Sequence, residues 1–430
     1  MKTWVEISRQ NILHNISEIK KLLKPGVSLM AVIKSNAYGH GISEVAKILT
    51  SASSPCFREA EIGGVSARGG SAWGGRGGKS TGIDWFGVDS IDEALILKKI
   101  LLRQGFGGQR PILILGYIPL LRLKEAVKNG FRFVVYNYET IKVLSKIHNL
   151  KSIIHLKAET GTSRQGIGEN EILDFVKFIK KFPNIKIEGF YTHFANIEDT
   201  TDHSYAEKQL NKFNKMIKLL EKTGISIPVK HSACSAATIL FPETHFNLVR
   251  LGISMYGMWS SKETFISAHP HLSSPSPREG EVGGGGILKS TSTSTNIILK
   301  PALTWKTVVA QIKNIKNGTP VSYGLTEKVN RDSKIAVLPV GYWDGFDRGL
   351  SSIGNVLIKG KGCKVLGRVC MNMCVVDVTD VPGVKVEDEV VLIGSQGKEK
   401  ITAEEFAAKL GTINYEVVTK INPLIKRVII

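Results

Sequence analysis

The chain has 430 residues, 42% of them hydrophobic, enough for two or three domains with substantial cores. No apolar run approaches the roughly 18 residues of a membrane-spanning helix, and the start, Met1-Lys-Thr-Trp-Val-Glu-Ile7, lacks the apolar block of a signal peptide, so the cytoplasm is the expected location. The formal charge of +19 is spread over many segments, among them Lys20, Lys98, Lys180 and Lys212, without a nucleic-acid motif; neither nucleic acid nor membrane is an expected partner.

In chain order, the first 250 residues alternate short β-rich runs with amphipathic helical runs. The expected strands are residues 29–33, 85–88, 112–115, 131–136, 153–157, 187–192, 229–231 and 246–250. Between them, residues 91–102, 138–147, 171–182 and 205–223 place apolar side chains at three- and four-residue spacing. Eight strands alternating with helices predict an α/β chain whose N-terminal part is a (β/α)8 TIM barrel. The helical rhythm stops after Gly257. From Ala302 the sequence reads as short strands at 307–312, 334–340, 355–358, 375–378 and 389–393, with a single helical patch at 403–410. The expected organisation is therefore a barrel over 1–257, whose N-terminal strand packs on the second domain, a linker over 258–301, and a C-terminal, mainly β domain over 302–430.

Three glycine-rich stretches, 51–81, 103–110 and 268–295, fit neither domain and read as disordered surface insertions. An Arg/Gly RNA-binding tract is the alternative for the first. Five cysteines (Cys56, Cys234, Cys363, Cys370, Cys374) form no paired framework, and with the ten histidines they make no metal-ligand pattern, so no metal is expected.

Lys34 ends the first barrel strand, in the run Ala31-Val-Ile-Lys-Ser-Asn-Ala-Tyr-Gly-His40, and a turn over 35–41 follows. In a barrel, strand C-termini and the loops after them form the active-site face. A lysine there is partly desolvated, which favours its use as an amine nucleophile. A lone lysine at a strand end reads as structural; the surrounding run changes that. It closely resembles the pyridoxal phosphate (PLP) lysine motif of alanine racemases. The resemblance continues, in the family's order, through Glu159-Thr-Gly-Thr-Ser-Arg-Gln-Gly166, Tyr191-Thr-His-Phe194, His231-Ser-Ala-Cys-Ser-Ala-Ala237 and Arg250-Leu-Gly-Ile-Ser-Met-Tyr-Gly257. In the second domain it includes Val321-Ser-Tyr-Gly324, Leu338-Pro-Val-Gly-Tyr-Trp-Asp-Gly345, Gly367-Arg-Val-Cys-Met-Asn372 and Ile413-Asn-Tyr-Glu416.

The resemblance implies pyridoxal 5'-phosphate as cofactor, with Lys34 holding it and Arg250 hydrogen-bonding its pyridine nitrogen. Arginine cannot give up its proton, so that nitrogen stays unprotonated and the ring is a weaker electron sink than one paired with Asp. Around the phosphate the resemblance places Tyr38, Ser235, Gly252, Ile253 and Tyr415, and it places His193 beside Arg250. Racemisation needs a proton removed from one face of Cα and another delivered to the opposite face, so two groups should flank it. The resemblance makes these Lys34 and Tyr323, the latter from the partner subunit of a homodimer with shared active sites. It assigns Arg164, the main-chain N–H of Met371 and the hydroxyl of Tyr342 to the substrate. Lys157 matches a lysine that is carbamylated in some members; a plain surface pairing with Glu159 is the alternative.

The implied function is a PLP-dependent isomerase interconverting L-alanine and D-alanine, supplying D-alanine for peptidoglycan. A racemase for another amino acid such as serine, and a PLP-barrel binding or homeostasis protein, are the alternatives. The C-terminal domain argues against the second. Glu159 stands where the family usually has Asp, and Asn372 where it commonly has Asp, which removes a negative charge near the substrate entrance.

Overall fold

The computed structural model describes residues 1–51, 82–105, 110–269 and 296–430. Of the stretches expected as insertions at 51–81, 103–110 and 268–295, residues 52–81, 106–109 and 270–295 lie outside the described residues, while Arg103 and Ala268 are the last residues of helices. The chain forms two compact units, one of Asn11–Lys34 and Ala46–Lys300, the other of Met1–Gln10, Ser35–Val45 and Pro301–Ile430.

The first unit is an eight-stranded, nearly closed parallel barrel. With β1 (Thr3–Ile7) assigned to the other unit, its strands are β2 (Ser28–Val32), β3 (Trp85–Val88), β4 (Ile112–Ile114), β5 (Arg132–Val135), β6 (Ser152–Lys157), β7 (Ile185–Tyr191), β8 (Val229–His231) and β9 (Leu248–Leu251). Their order is β8-β7-β6-β5-β4-β3-β2-β9, each pair parallel. At the seam, Arg250 N–H donates to Ala233 O at 3.1 Å, and Lys230 N–H to Asn247 Oδ1 at 2.8 Å. Most of the strands are short, largely apolar runs because barrel strands are buried on both faces; β4 is buried at every position.

The helices start where local chemistry dictates. Ile91–Arg103 opens on a capping box, in which Ser90 Oγ accepts from Glu93 N–H at 3.2 Å and Glu93 Oε2 accepts from Ser90 N–H at 3.4 Å. Asn137 caps Tyr138–Leu144 through its side chain, which accepts from Thr140 N–H at 2.9 Å. The segment expected as a linker carries a further helix, Lys262–Ala268, capped by Ser261.

The second unit is mainly β. Its larger sheet runs in the order β16 (Lys361–Lys364), β15 (Asn355–Ile358), β18 (Glu389–Gln396), β10 (Leu303–Val308), β1, β20 (Lys426–Ile429), with β19 (Glu399–Ile401) on β18. A smaller sheet joins β11 (Gln311–Ile315), β14 (Ser333–Leu338) and β17 (Cys374–Asp377), and β12 (Pro320–Val321) pairs β13 (Glu327–Lys328). The first and last strands thus meet, β1 lying antiparallel to β10 and parallel to β20. Trp305, Phe346 and Phe406 pack edge-on in the core.

Two expectations need correction here. The run at 307–312 is not one strand. The chain changes sheets between β10, which pairs β18, and β11, which pairs β14. A short β-rich run does not report such a switch, because local propensity is the same on either side of it. Nor is 403–410 the single helix; Asn414–Thr419 follows it, too short and too rich in β-branched residues to show a helical period. Among the described residues no helix is long and apolar enough to cross a membrane.

Candidate active site

In the barrel unit, the C-terminal strand ends gather basic and polar groups. Lys34 follows β2, Lys157 ends β6, His193 follows β7, Ser235 follows β8 and Arg250 lies in β9. The strands are parallel, so these ends share one face of the barrel.

Arg250, 6% exposed, is held from several sides. Its Nη1 donates to His231 Nδ1 at 2.8 Å, and its Nη2 donates to Ser232 O at 2.8 Å, to Thr192 O at 3.0 Å and to His193 Nδ1 at 3.3 Å. The Tyr191 ring stacks on His231 at 4.7 Å, with the Arg250 guanidinium 5.3 Å from its centroid. Burial and the Arg250 charge hold His193 and His231 well below the usual imidazole range, so both are neutral acceptors.

Lys157 is 3% exposed, which overturns the surface-pair reading. Glu159 turns instead to the following loop and accepts from the N–H groups of Gly161 at 2.6 Å, Ser163 at 3.1 Å and Arg164 at 3.3 Å. Burial alone would raise Glu159, but these amides outweigh it and hold the carboxyl below its usual value. Lys157 Nζ donates to Gln165 Oε1 at 3.4 Å. Burial, then the charges of Arg164 and Arg250, push its ammonium down to about 8. Lys34 adds to that repulsion, so four basic side chains share one electrostatic neighbourhood. A cavity of about 320 Å³ opens beside them, lined by Thr162, Arg164, His193, Phe194, Ile197 and Glu198.

The turn after Lys34 is left-handed. Ser35, Asn36, Ala37 and Tyr38 each have φ near +53°, a conformation costing about 1–2 kcal/mol per residue with a side chain. It persists because its surroundings over-determine it. Asn36 Oδ1 accepts from Ile42 N–H at 2.9 Å, and the buried Arg427 grips Gly39 O through Nε at 3.1 Å and Nη2 at 3.0 Å. Gly39 has φ +80°, and a Cβ there would lie 1.9 Å from Val418 O. The result sets the Tyr38 ring 6.0 Å from that of Tyr415.

In the second unit, Tyr323, Tyr342, Arg348, Arg368, Met371 and Asn372 line a cavity of about 440 Å³. Tyr323 is 73% exposed, unlike a core aromatic. The motif at 367–372 contains Arg368, but nothing in the sequence gives Arg348 or Arg368 a role. Isolated arginines carry no signal of which cavity they line.

Residues 7–64 and 77–259 match the family described as "Alanine racemase, N-terminal domain", and residues 302–429 match "Alanine racemase, C-terminal domain". The chain belongs to the alanine racemase family. An alanine racemase of Methanococcus maripaludis is 37% identical over 429 residues, 99% of this chain and 98% of its own. One of Leptospira interrogans is 34% identical, spanning 100% of this chain and 96% of its own. Among solved structures, the alanine racemase of Clostridium difficile 630 superposes with a TM-score of 0.79 at 32% identity, covering 100% of this chain and 96% of that one. The alanine racemase of Bacillus anthracis with bound L-Ala-P gives 0.78 at 32% identity, covering 100% and 95%.

Alanine racemases are generally PLP-dependent, and the residues of the barrel unit fit that group. Ser235 Oγ accepts from Gly252 N–H at 3.0 Å and from Ser254 N–H at 3.5 Å, which gathers a hydroxyl and two amides at one point. The fully buried Ser254 hydroxyl has no hydrogen-bond partner among the described residues. A turn that gathers amides, with an unsatisfied buried hydroxyl, suits a phosphate. Nothing in the sequence alone gives His231, Tyr191 or Ser254 a role. All three lie within the motifs that carry the resemblance, but only their contacts distinguish them from ordinary core residues.

Proposed function

We propose that this chain interconverts L-alanine and D-alanine with bound PLP, as a homodimer whose active sites each take one group from the second copy. The observation that carries this is Arg250, pinned by His231, Thr192, Ser232 and His193 in the same strand-end neighbourhood as Lys34. Lys34 would hold the cofactor and Arg250 would donate to its pyridine nitrogen. Ser235, Tyr38, Tyr415 and the backbone of Gly252 and Ile253 would hold its phosphate. When bound, PLP supplies the electron sink that makes the Cα proton of alanine removable.

The chain's own groups do the rest. The Lys34 amine takes or gives the proton on one face of Cα, and the Tyr323 hydroxyl of a second copy does so on the other. Arg164, the Met371 N–H and the Tyr342 hydroxyl orient the substrate. Lys157 suits carbamylation, because crowding by Arg164 and Arg250 favours loss of its ammonium proton, and the neutral amine then adds to carbon dioxide, releasing a second proton to solvent and leaving a carbamate anion that attracts both arginines. The proposed setting is the cytoplasm, with D-alanine passing to peptidoglycan synthesis.

The test is to incubate the purified protein and PLP with L-alanine in D₂O, following both enantiomers and deuterium at Cα. Deuterated D-alanine is the expected product, and Tyr323→Phe should lose it. Absence of exchange in the wild-type protein would sink the racemase reading.

A further inference from the structure

Arg250 is the first member of a buried chain of polar groups that runs across neighbouring barrel strands. After Arg250 Nη1 and His231 Nδ1 at 2.8 Å come His231 Nε2 and His155 Nδ1 at 3.0 Å. His155 Nε2 makes no hydrogen bond but lies 3.5 Å from Glu188 Oε2, a charge contact, and that oxygen accepts from Arg132 Nε at 3.1 Å. The members sit on β9, β8, β6, β7 and β5, and both imidazoles are 0% exposed.

Elementary donor counting fixes the direction. A guanidinium only donates, so His231 Nδ1 must accept, and a neutral ring then carries its hydrogen on Nε2. That hydrogen faces His155 Nδ1, which must also accept, leaving the His155 hydrogen on Nε2 toward the carboxylate of Glu188. Reversing either ring, or protonating it, sets two donors against each other in a site closed to water. Burial works in the same sense, holding both imidazoles below their ordinary values.

The site is also sculpted for the second ring. Gly189 stands opposite His155 in the β6 and β7 register, and a Cβ there would come within 2.2 Å of its Nδ1. Trp85 packs against the same ring edge-on at 5.5 Å. Hydrogen bonds in series polarise one another, so the Glu188 charge makes His231 Nδ1 a better acceptor for Arg250.

We propose that His155 and Glu188 are positioning residues for racemisation. Through His231 they hold the Arg250 guanidinium by a one-way relay in which both imidazoles are neutral and carry hydrogen on Nε2. The kinetic part of this inference rests on the racemase reading; the tautomer part does not.

The experiment has two arms. In the first, ¹⁵N-histidine NMR of the full-length protein with and without PLP should show both rings neutral, with hydrogen on Nε2, from about pH 6 to 8. Hydrogen on Nδ1, or a cationic ring, for either residue would overturn the relay. In the second, His155→Phe keeps a ring against Trp85 but removes the acceptor, and should lower kcat about 10- to 100-fold while KM for alanine changes less than about threefold. His155→Gln, which can accept from His231 and donate to Glu188, should recover most of that loss. Glu188→Gln, which keeps the acceptor without the charge, should show a smaller fall in kcat even if His155→Phe does not fold. Wild-type kcat in both His155→Phe and Glu188→Gln, or a His155→Gln enzyme no better than His155→Phe, would refute the positioning role. If the wild-type protein does not racemise alanine, the racemase reading and the kinetic role fall together, and the NMR arm alone decides the relay.

Discussion

Arg427→Met tests how the strained turn that follows Lys34 is held. Arg427, 8% exposed on β20, donates to Gly39 O at 3.1 and 3.0 Å, to Asn422 O and Ile425 O at 2.6 Å each, and to Ile421 O at 3.0 Å. Methionine keeps the packed stem and removes all five bonds, leaving four carbonyls short of a donor. Five bonds at about 1 kcal/mol net each give a gross loss of about 5 kcal/mol. Release of a buried guanidinium offsets part of that, so the expected cost is about 3 kcal/mol. With a urea slope of about 2–3 kcal/mol/M, the unfolding midpoint should fall by about 1–1.5 M. Because the turn carries Tyr38 and directly follows Lys34, PLP affinity should fall at least about tenfold, the equivalent of about 1.4 kcal/mol. Fluorescence titration of the apoprotein measures the second effect. A variant with an unchanged midpoint and PLP affinity within about twofold of wild type would refute the clamp.

Gly39→Ala attacks the same turn from the other side; a methyl driven against Val418 O at 1.9 Å should cost more than about 2 kcal/mol in the same urea assay. Tyr323→Phe should leave the unfolding midpoint unchanged, since the side chain is 73% exposed, while racemisation falls about 10²- to 10⁴-fold. For Lys157, a pKa of about 8 against an ordinary 10.5 means that the unfolded chain binds more protons between those values. Its contribution to stability should therefore rise as pH climbs from about 8 to 10.5, and Lys157→Met should abolish that rise in pH-dependent denaturation. The same low value leaves neutral amine available for carbon dioxide. ¹³C-bicarbonate should give a carbamate NMR signal that Lys157→Arg lacks.

Most of the eight barrel strands are legible in the sequence because they are short, largely apolar runs buried on both faces; β8, Val229–His231, is the weakest, being short and only partly buried. Composition and local pattern likewise separate the barrel from the β domain, and the run around Lys34 singles out a lysine at a strand end. The sequence is silent where two distant segments must meet. His155 reads as one polar residue in an apolar strand until β8 and β7 bring His231 and Glu188 to its two nitrogens. Lys157 reads equally as a surface lysine until the fold buries it beside Arg164 and Arg250. The expected turn after Lys34 becomes four left-handed residues because Arg427, nearly four hundred positions away, holds its end. Local propensity and periodicity are encoded within a few residues and can be read there. The neutrality of a histidine, the acidity of a lysine and the handedness of a strained turn depend on which charges and carbonyls are brought near them, and only the tertiary structure decides that.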